Sequence, residues 1–347
     1  MSATKTLRNP SARVAAQHIK PERLTALQKV ASRYAVAITP ALLDLINTAD
    51  GHDPIALQFI PDERELECRD EENADPIGDD AHTPVPGVVY RYPDRVLLKI
   101  VNACAVYCRF CFRREMVGPG RGALTGKALD AAFDYIARTP QIWEVILTGG
   151  DPLLLTPQRL KDVITRLTAI EHVKVVRLHT RIPVAAPERV TPTLLRALRT
   201  NKATFMVLHA NHARELTEEA RAACARVIDA GIPMLSQSVL LRGVNDDAGA
   251  LGALMRALVE CRIKPYYLHH ADLAPGTAHL RTSIAEGQAL LRALHGRYSG
   301  LCQPQYVLDI PGGHGKSPIG PVYLSADRKQ VTDFKGARHV YPPRCPD

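Results

Sequence analysis

After Pro86 the chain settles into a rhythm that few architectures can accommodate. Short apolar, β-rich runs at 96–100, 143–147, 173–178, 204–208, 233–240 and 264–268 alternate with segments of helical period at 127–138, 157–167, 191–198, 217–229, 248–260 and 285–294. Strands joined through helices lie parallel, and right-handed crossovers coil such a series into a barrel. Six units fall short of the eight of a closed barrel. The pattern therefore predicts an α/β fold, a partial (βα)6 TIM-like barrel open at the side, with its site at the C-terminal strand ends. Residues 1–88 read as an N-terminal helical extension, with amphipathic stretches at 21–32 and 40–47 and an acidic loop at 68–80. Residues 89–302 read as the barrel, and 303–347 as a strand-rich closing segment and tail with strands at 306–310 and 322–324. At 347 residues and 46% hydrophobic content, the chain can bury a core of this size.

The chemistry begins in the loop after the first barrel strand. Cys104-Ala-Val-Tyr-Cys108-Arg-Phe-Cys111 gathers three of the eight cysteines, while those at 68, 224, 261, 302 and 345 are scattered singly. That is not a secreted disulfide framework, and it points to a metal site in a reducing compartment. A structural zinc site takes four protein ligands. Three thiolates can instead hold three irons of a [4Fe-4S] cube and leave the fourth iron open, with Tyr107, Phe110 and Phe112 shielding it from water. The CxxxCxxC spacing resembles the radical S-adenosylmethionine (SAM) superfamily, whose open iron binds the amino and carboxylate groups of SAM. The resemblance implies reductive cleavage of SAM to a radical that abstracts hydrogen from an unactivated carbon. The next strand ends in Leu147-Thr-Gly149-Gly150-Asp151-Pro. Glycines at a strand end let backbone approach a ligand closely, and beside the cysteines Gly149, Gly150 and Asp151 look like the superfamily's segment for the SAM amino group.

A second motif, Asp309-Ile-Pro-Gly-Gly-His-Gly-Lys316-Ser-Pro, sets glycines around a lysine. A Walker A phosphate loop needs glycine at 310, where isoleucine stands. Two readings remain: a solvated loop lysine, or a lysine whose amine bonds covalently to pyridoxal phosphate in a partly desolvated pocket. With both motifs in one chain, residues 85–325 resemble the lysine 2,3-aminomutase family. The likeness extends to Arg91-Tyr-Pro-Asp-Arg95, Phe112-Arg113-Arg114, Ser236-Gln237-Ser-Val-Leu-Leu-Arg-Gly-Val-Asn-Asp246, Pro265-Tyr-Tyr267 and Pro304-Gln-Tyr-Val. The chain resembles a short form. Asp247 stands where longer members carry a zinc-binding cysteine, and their C-terminal cysteine cluster is missing.

The resemblance implies an isomerase that turns L-lysine into L-β-lysine by hydrogen abstraction from C3, 1,2-migration of the nitrogen and hydrogen return. Its cofactors would be a [4Fe-4S] cluster on Cys104, Cys108 and Cys111, SAM, and pyridoxal phosphate on Lys316. Arg113 is similar to the arginine that pairs with the substrate α-carboxylate, a bidentate task suited to guanidinium. Arg95 would lie near the cofactor phosphate, and His209 and Gln237 near SAM. Asp272 and Asp309 are similar to two aspartates that clasp the substrate ε-ammonium, neutralising a charge that is costly to desolvate. A glutamate-specific relative would lose that acidic pair.

The net charge of +8 raises a rival reading, a radical SAM enzyme acting on RNA. Basic residues nonetheless alternate with acids, and no aromatic-basic platform is present, so no nucleic-acid partner is expected. A nearer rival keeps the chemistry but sends the β-lysine to elongation factor P. No run of about 18 uncharged apolar residues and no secretory leader appear, so a cytoplasmic enzyme without a membrane partner is expected. The family also implies an electron donor such as flavodoxin or ferredoxin, and leaves a homo-oligomer open.

Overall fold

The computed structural model describes residues 6–8, 21–120 and 122–343. Cys345 and most of the basic segment 1–21 lie outside the described residues. One nine-stranded sheet runs in chain order: β1 (Val88–Tyr92), β2 (Arg95–Val101), β3 (Glu144–Gly149), β4 (Val175–Thr180), β5 (Ala203–His209), β6 (Met234–Leu240), β7 (Lys264–His270), β8 (Gln305–Ile310) and β9 (Gly315–Pro318). β2 to β8 are parallel, and β1 and β9 pair antiparallel at the two edges. The six crossovers contain the helices Gly126–Arg138, Pro157–Thr168, Pro192–Ala197, Glu218–Asp229, Ala248–Glu260 and Ile284–Leu294. Thr156, Thr191, Thr217 and Ser283 each accept a backbone N–H at a helix start. Asp247 does the same for Gly249 and Ala250, so the residue that departs from the longer aminomutases serves here as an N-cap.

Strands sandwiched between helices and a filled interior bury both faces. Leu98, Val145, Leu147, Val176, Leu178 and Leu208 pack under Phe133, Ile136, Leu160 and Ile164 in one core. Removing the Leu147 side chain would cost about 2–5 kcal/mol through lost transfer energy and an unfilled cavity. The alternate positions point the other way, as the two-residue strand period demands. Thr148, His179, His209, Gln237, His269 and Asp309 project into a cavity of about 500 Å³.

Two features differ from the sequence expectation. The run 322–324 forms no strand; Leu324 makes only an isolated bridge to Val331, and Val322 is 72% exposed, with no sheet to cover it. The edge strand is β9 instead, whose Gly-Lys-Ser-Pro carries no β-branched or aromatic residue to announce it. The second feature is β1, which precedes the first expected strand. Pro93 and Asp94 make its turn into β2, and Tyr92 pairs with Arg95 across it. The edges β1 and β9 meet where the Lys316 backbone N–H donates to Tyr92 Oη at 2.6 Å. The N-terminal segment thus crosses the open side of the barrel. Among the described residues no helix is long and apolar enough to cross a membrane.

Candidate active site

Every candidate residue named from the sequence lines this one cavity: Cys104, Cys108, Cys111, Gly149, Gly150, Asp151, His209 and Gln237 toward one end, and Arg95, Arg113, Asp272, Asp309 and Lys316 toward the other. Parallel register explains much of it. His209 lies beside Gln237 on β6, which lies beside Tyr267 on β7; two residues further, His269 lies beside Val307 on β8, and Asp309 follows on the same face.

The cysteine loop is held from three sides. Tyr107 donates its backbone N–H to Ala37 and Arg109 to Gln58, both on the N-terminal segment. Glu65, fully buried, accepts from the guanidinium groups of Arg109 and Arg114, which flank Cys111. Burial would raise the Glu65 carboxyl, but Arg109 and then Arg114 outweigh it and hold the group below its ordinary range. The third side is the glycine turn. Gly149 has φ +106°, and a side chain at Gly150 would run into the Ala103 backbone. Gly150 N–H donates to Val101 and Asp151 N–H to Ala103. The Asp151 carboxylate is consumed internally, by Thr180 Oγ1 and the Arg181 N–H, both at 2.7 Å. In this geometry the glycines accommodate the cysteine loop's own backbone, while the turn still faces the cavity. Sequence reasoning missed Glu65, which carries no motif and sits 44 residues from Arg109.

Burial raises all three thiols, Cys108 to about 11; at Cys104 the Asp151 charge and the other two cysteines add to it, whereas Arg113, Arg114 and Arg109 oppose it at Cys111. A cationic cluster offsets the cost, because it binds the thiolate form. Among the described residues no trio of donors converges on a point, as a single metal ion would require. A cube takes each thiolate at its own iron, so this donor set suits a cluster.

The other end is acidic. Lys316 Nζ donates to both Asp309 oxygens at 2.7 Å, and His269 Nδ1 lies 3.5 Å from Asp309 Oδ2. Burial alone would raise Asp309, but His269 and the Lys316 ammonium outweigh it and hold the carboxyl below its usual range. At Asp272, two residues beyond β7, burial, reinforced by the Asp309 charge, outweighs the opposing charges of Lys316 and Arg113 and pushes the carboxyl up to about 7. Arg113 is buried in the same cavity, with Asp79 accepting from its Nη2 at 2.9 Å. Arg95 stacks on the Tyr92 ring, 3.8 Å from its centroid.

Several buried atoms of cavity-lining residues have no protein partner, among them Asp272 Oδ1, His179 Nε2, His209 Nε2 and Arg181 Nη2. A buried polar group left unpaired costs about 1–3 kcal/mol, so such a set marks a site that a polar ligand completes. Burial lowers both histidines well below their ordinary value, leaving each ring neutral with an acceptor to offer. The unpaired atoms lie at both ends, His209 toward the cysteines and Asp272 toward Lys316, so both ends offer buried polar atoms to a ligand. His179 and His269 were not singled out from the sequence, because a histidine within a strand run carries no signal until its register is known.

Comparisons with known proteins agree with this geometry. Residues 98–251 match the radical SAM superfamily. The L-lysine 2,3-aminomutase of Acetoanaerobium sticklandii is 42% identical over 93% of this chain and 79% of its own. That of Clostridium subterminale is 42% identical over 88% of this chain and 74% of its own. The glutamate 2,3-aminomutase of Clostridioides difficile is more distant, at 36% over 86% of this chain and 70% of its own. Relatedness of that degree along nearly the whole chain, on a parallel barrel with a three-cysteine loop and a half-buried lysine, places the protein in the lysine 2,3-aminomutase family of radical SAM enzymes.

Proposed function

We propose that the protein is an L-lysine 2,3-aminomutase, an isomerase converting L-lysine to L-β-lysine. The observation that carries the substrate choice is the pair Asp272 and Asp309, one of them with an unpartnered buried oxygen, in the same cavity as buried Arg113. A substrate with a carboxylate at its far end would bring a third negative charge to that acidic pole. An ammonium neutralises it.

When bound, the cluster and SAM supply a radical that takes hydrogen from an unactivated carbon, and pyridoxal phosphate supplies the carbonyl that holds the migrating nitrogen. The chain's own residues do the positioning. Cys104, Cys108 and Cys111 would ligate the cluster, with Gly149, Gly150 and Asp151 shaping the SAM pocket behind them and His209 and Gln237 facing it. Arg95 would meet the cofactor phosphate, and Lys316 would hold the cofactor covalently. Arg113 takes the substrate α-carboxylate while Asp272 and Asp309 take the ε-ammonium, and those two poles fix which carbon faces the cysteine end. The Lys316 ammonium on Asp309 shows that this carboxylate accepts a cation. An arriving ammonium pulls the Asp272 carboxyl down from about 7 and so recruits the second charge. The electron would come from a low-potential donor such as flavodoxin or ferredoxin, in the cytoplasm.

The test is an anaerobic incubation of the reconstituted enzyme with L-lysine, SAM and a strong reductant, resolving α- from β-lysine. β-Lysine formation is expected. SAM cleavage without amino migration, in protein carrying pyridoxal phosphate, would overturn the reading.

A further inference from the structure

Asp79 belongs to the N-terminal segment, yet its carboxylate is the meeting point of two cavity arginines. Its Oδ2 accepts from Arg113 Nη2 and its Oδ1 from Arg91 Nη2, both at 2.9 Å, and it is 1% exposed. One carboxylate cannot neutralise two guanidinium groups, so the pair leaves a net positive charge on the cavity wall. Asp79 is itself fixed. Its N–H donates to Asp75 Oδ1 at 2.8 Å, and its carbonyl accepts from Thr83 Oγ1 at 2.8 Å. Arg91 is further tied to the Ile77 carbonyl at 2.7 Å.

The same short segment grips the turn that carries Lys316. A side chain at Gly78 would run into the Gly312–Gly313 backbone, and His82 Nε2 lies 3.0 Å from the Gly313 carbonyl oxygen. Residues 75–83 therefore touch the cationic pole through Arg113 and the lysine pole through Gly313, and their rigidity sets the spacing between the two.

From this juxtaposition we propose that Asp79 is a positioning residue for substrate recognition: it aims Arg113 at the α-carboxylate and, through its segment, registers that contact against the Lys316 turn. The proposal rests on the reading of Arg113 as the carboxylate-binding residue. Asp79 touches no substrate atom, so its effect passes through Arg113 and falls on ligands that carry a carboxylate.

The experiment compares the affinity of the holoenzyme for L-lysine and for cadaverine, which is lysine without its carboxylate, in the native protein and in Asp79→Asn, Asp79→Glu and Arg113→Ala. Iron content, SAM cleavage and pyridoxal absorbance are followed in each. Asp79→Asn is expected to weaken lysine binding about 10- to 100-fold, seen as a raised KM with a smaller change in kcat, and to leave cadaverine binding and the cofactor signals unchanged. Asp79→Glu keeps the charge and should show the same selective loss in smaller measure, which decides the matter if Asp79→Asn does not fold. Equal loss of both ligands, or no loss of lysine, in the folded Asp79 variants overturns the proposal. If Arg113→Ala itself weakens both ligands equally, the reading of Arg113 fails instead.

Discussion

The two ends of the cavity are built on opposite principles. Around the cysteine loop the buried carboxylates have protein partners, Glu65 with Arg109 and Arg114, Asp151 with Thr180 and the Arg181 backbone, Glu215 with Arg181 at 2.9 Å, although His209 Nε2 and Arg181 Nη2 have none. Around Lys316 the partners run short. Asp272 has none for one oxygen, His179 none for its Nε2, and Asp309 borrows the ammonium of Lys316. A cofactor that stays bound can be held by a finished, rigid frame. A substrate that comes and goes needs groups left unsatisfied until it arrives, because only a difference between the empty and occupied states yields binding energy.

Perturbing each end should therefore have a different signature. The largest effect is expected from Cys108→Ala at the finished end, which should abolish iron incorporation and SAM cleavage together; iron content and turnover that survive it would sink the cluster assignment. Lys316→Ala should stop amino migration while iron binding and SAM cleavage persist, and borohydride should fix pyridoxal to Lys316 in the native protein, so labelling of another lysine would refute its role. Glu65→Gln leaves two buried guanidinium groups facing a neutral partner, and a loss of about 3–5 kcal/mol is expected in denaturant unfolding. A loss under 1 kcal/mol would mean that the frame is not held by this charge.

A perturbation of similar size is a pH dependence. Burial and the Asp309 charge push the Asp272 carboxyl up to about 7 in the folded protein, against about 4 when unfolded. Between those values the folded state carries the extra proton, so this residue's contribution to stability is greatest at low pH and falls as pH rises toward 7. Asp272→Asn removes the effect. The stability of the variant relative to the native protein should grow from about pH 4 to about pH 7 and then level off; a flat difference would contradict the buried placement beside Asp309.

The same contrast governs what could be read in advance. The cysteine loop is contiguous, so residues 104–111 displayed their chemistry without any knowledge of the fold, and the alternation of strands and helices announced the parallel barrel. Lys316 stood out by its flanking glycines with two readings open, and Asp272 and Asp309 were picked out only through a family resemblance, because their chemistry exists when β7, β8 and β9 stand side by side. What stayed hidden was the support. Glu65 and Asp79 lie in acidic stretches that look like solvated loop, and only the way the N-terminal segment crosses the barrel's open side buries them against arginines. β9 was hidden for a local reason, since a strand reading Gly-Lys-Ser-Pro has no side chain that favours one.

The central claim is that the unfinished acidic pole reads the far ammonium of the substrate, and kcat/KM for L-lysine, L-norleucine and L-glutamate in the native enzyme and in Asp309→Asn tests it most directly. Norleucine keeps the chain length and α-groups of lysine but lacks the ammonium. The native enzyme should strongly favour lysine, and Asp309→Asn should lose roughly 30-fold to several thousand-fold on lysine, the equivalent of about 2–5 kcal/mol for a broken buried charge pair, with little change on norleucine. Native turnover that prefers glutamate, or an Asp309→Asn enzyme that processes lysine as well as the native one, would contradict the account.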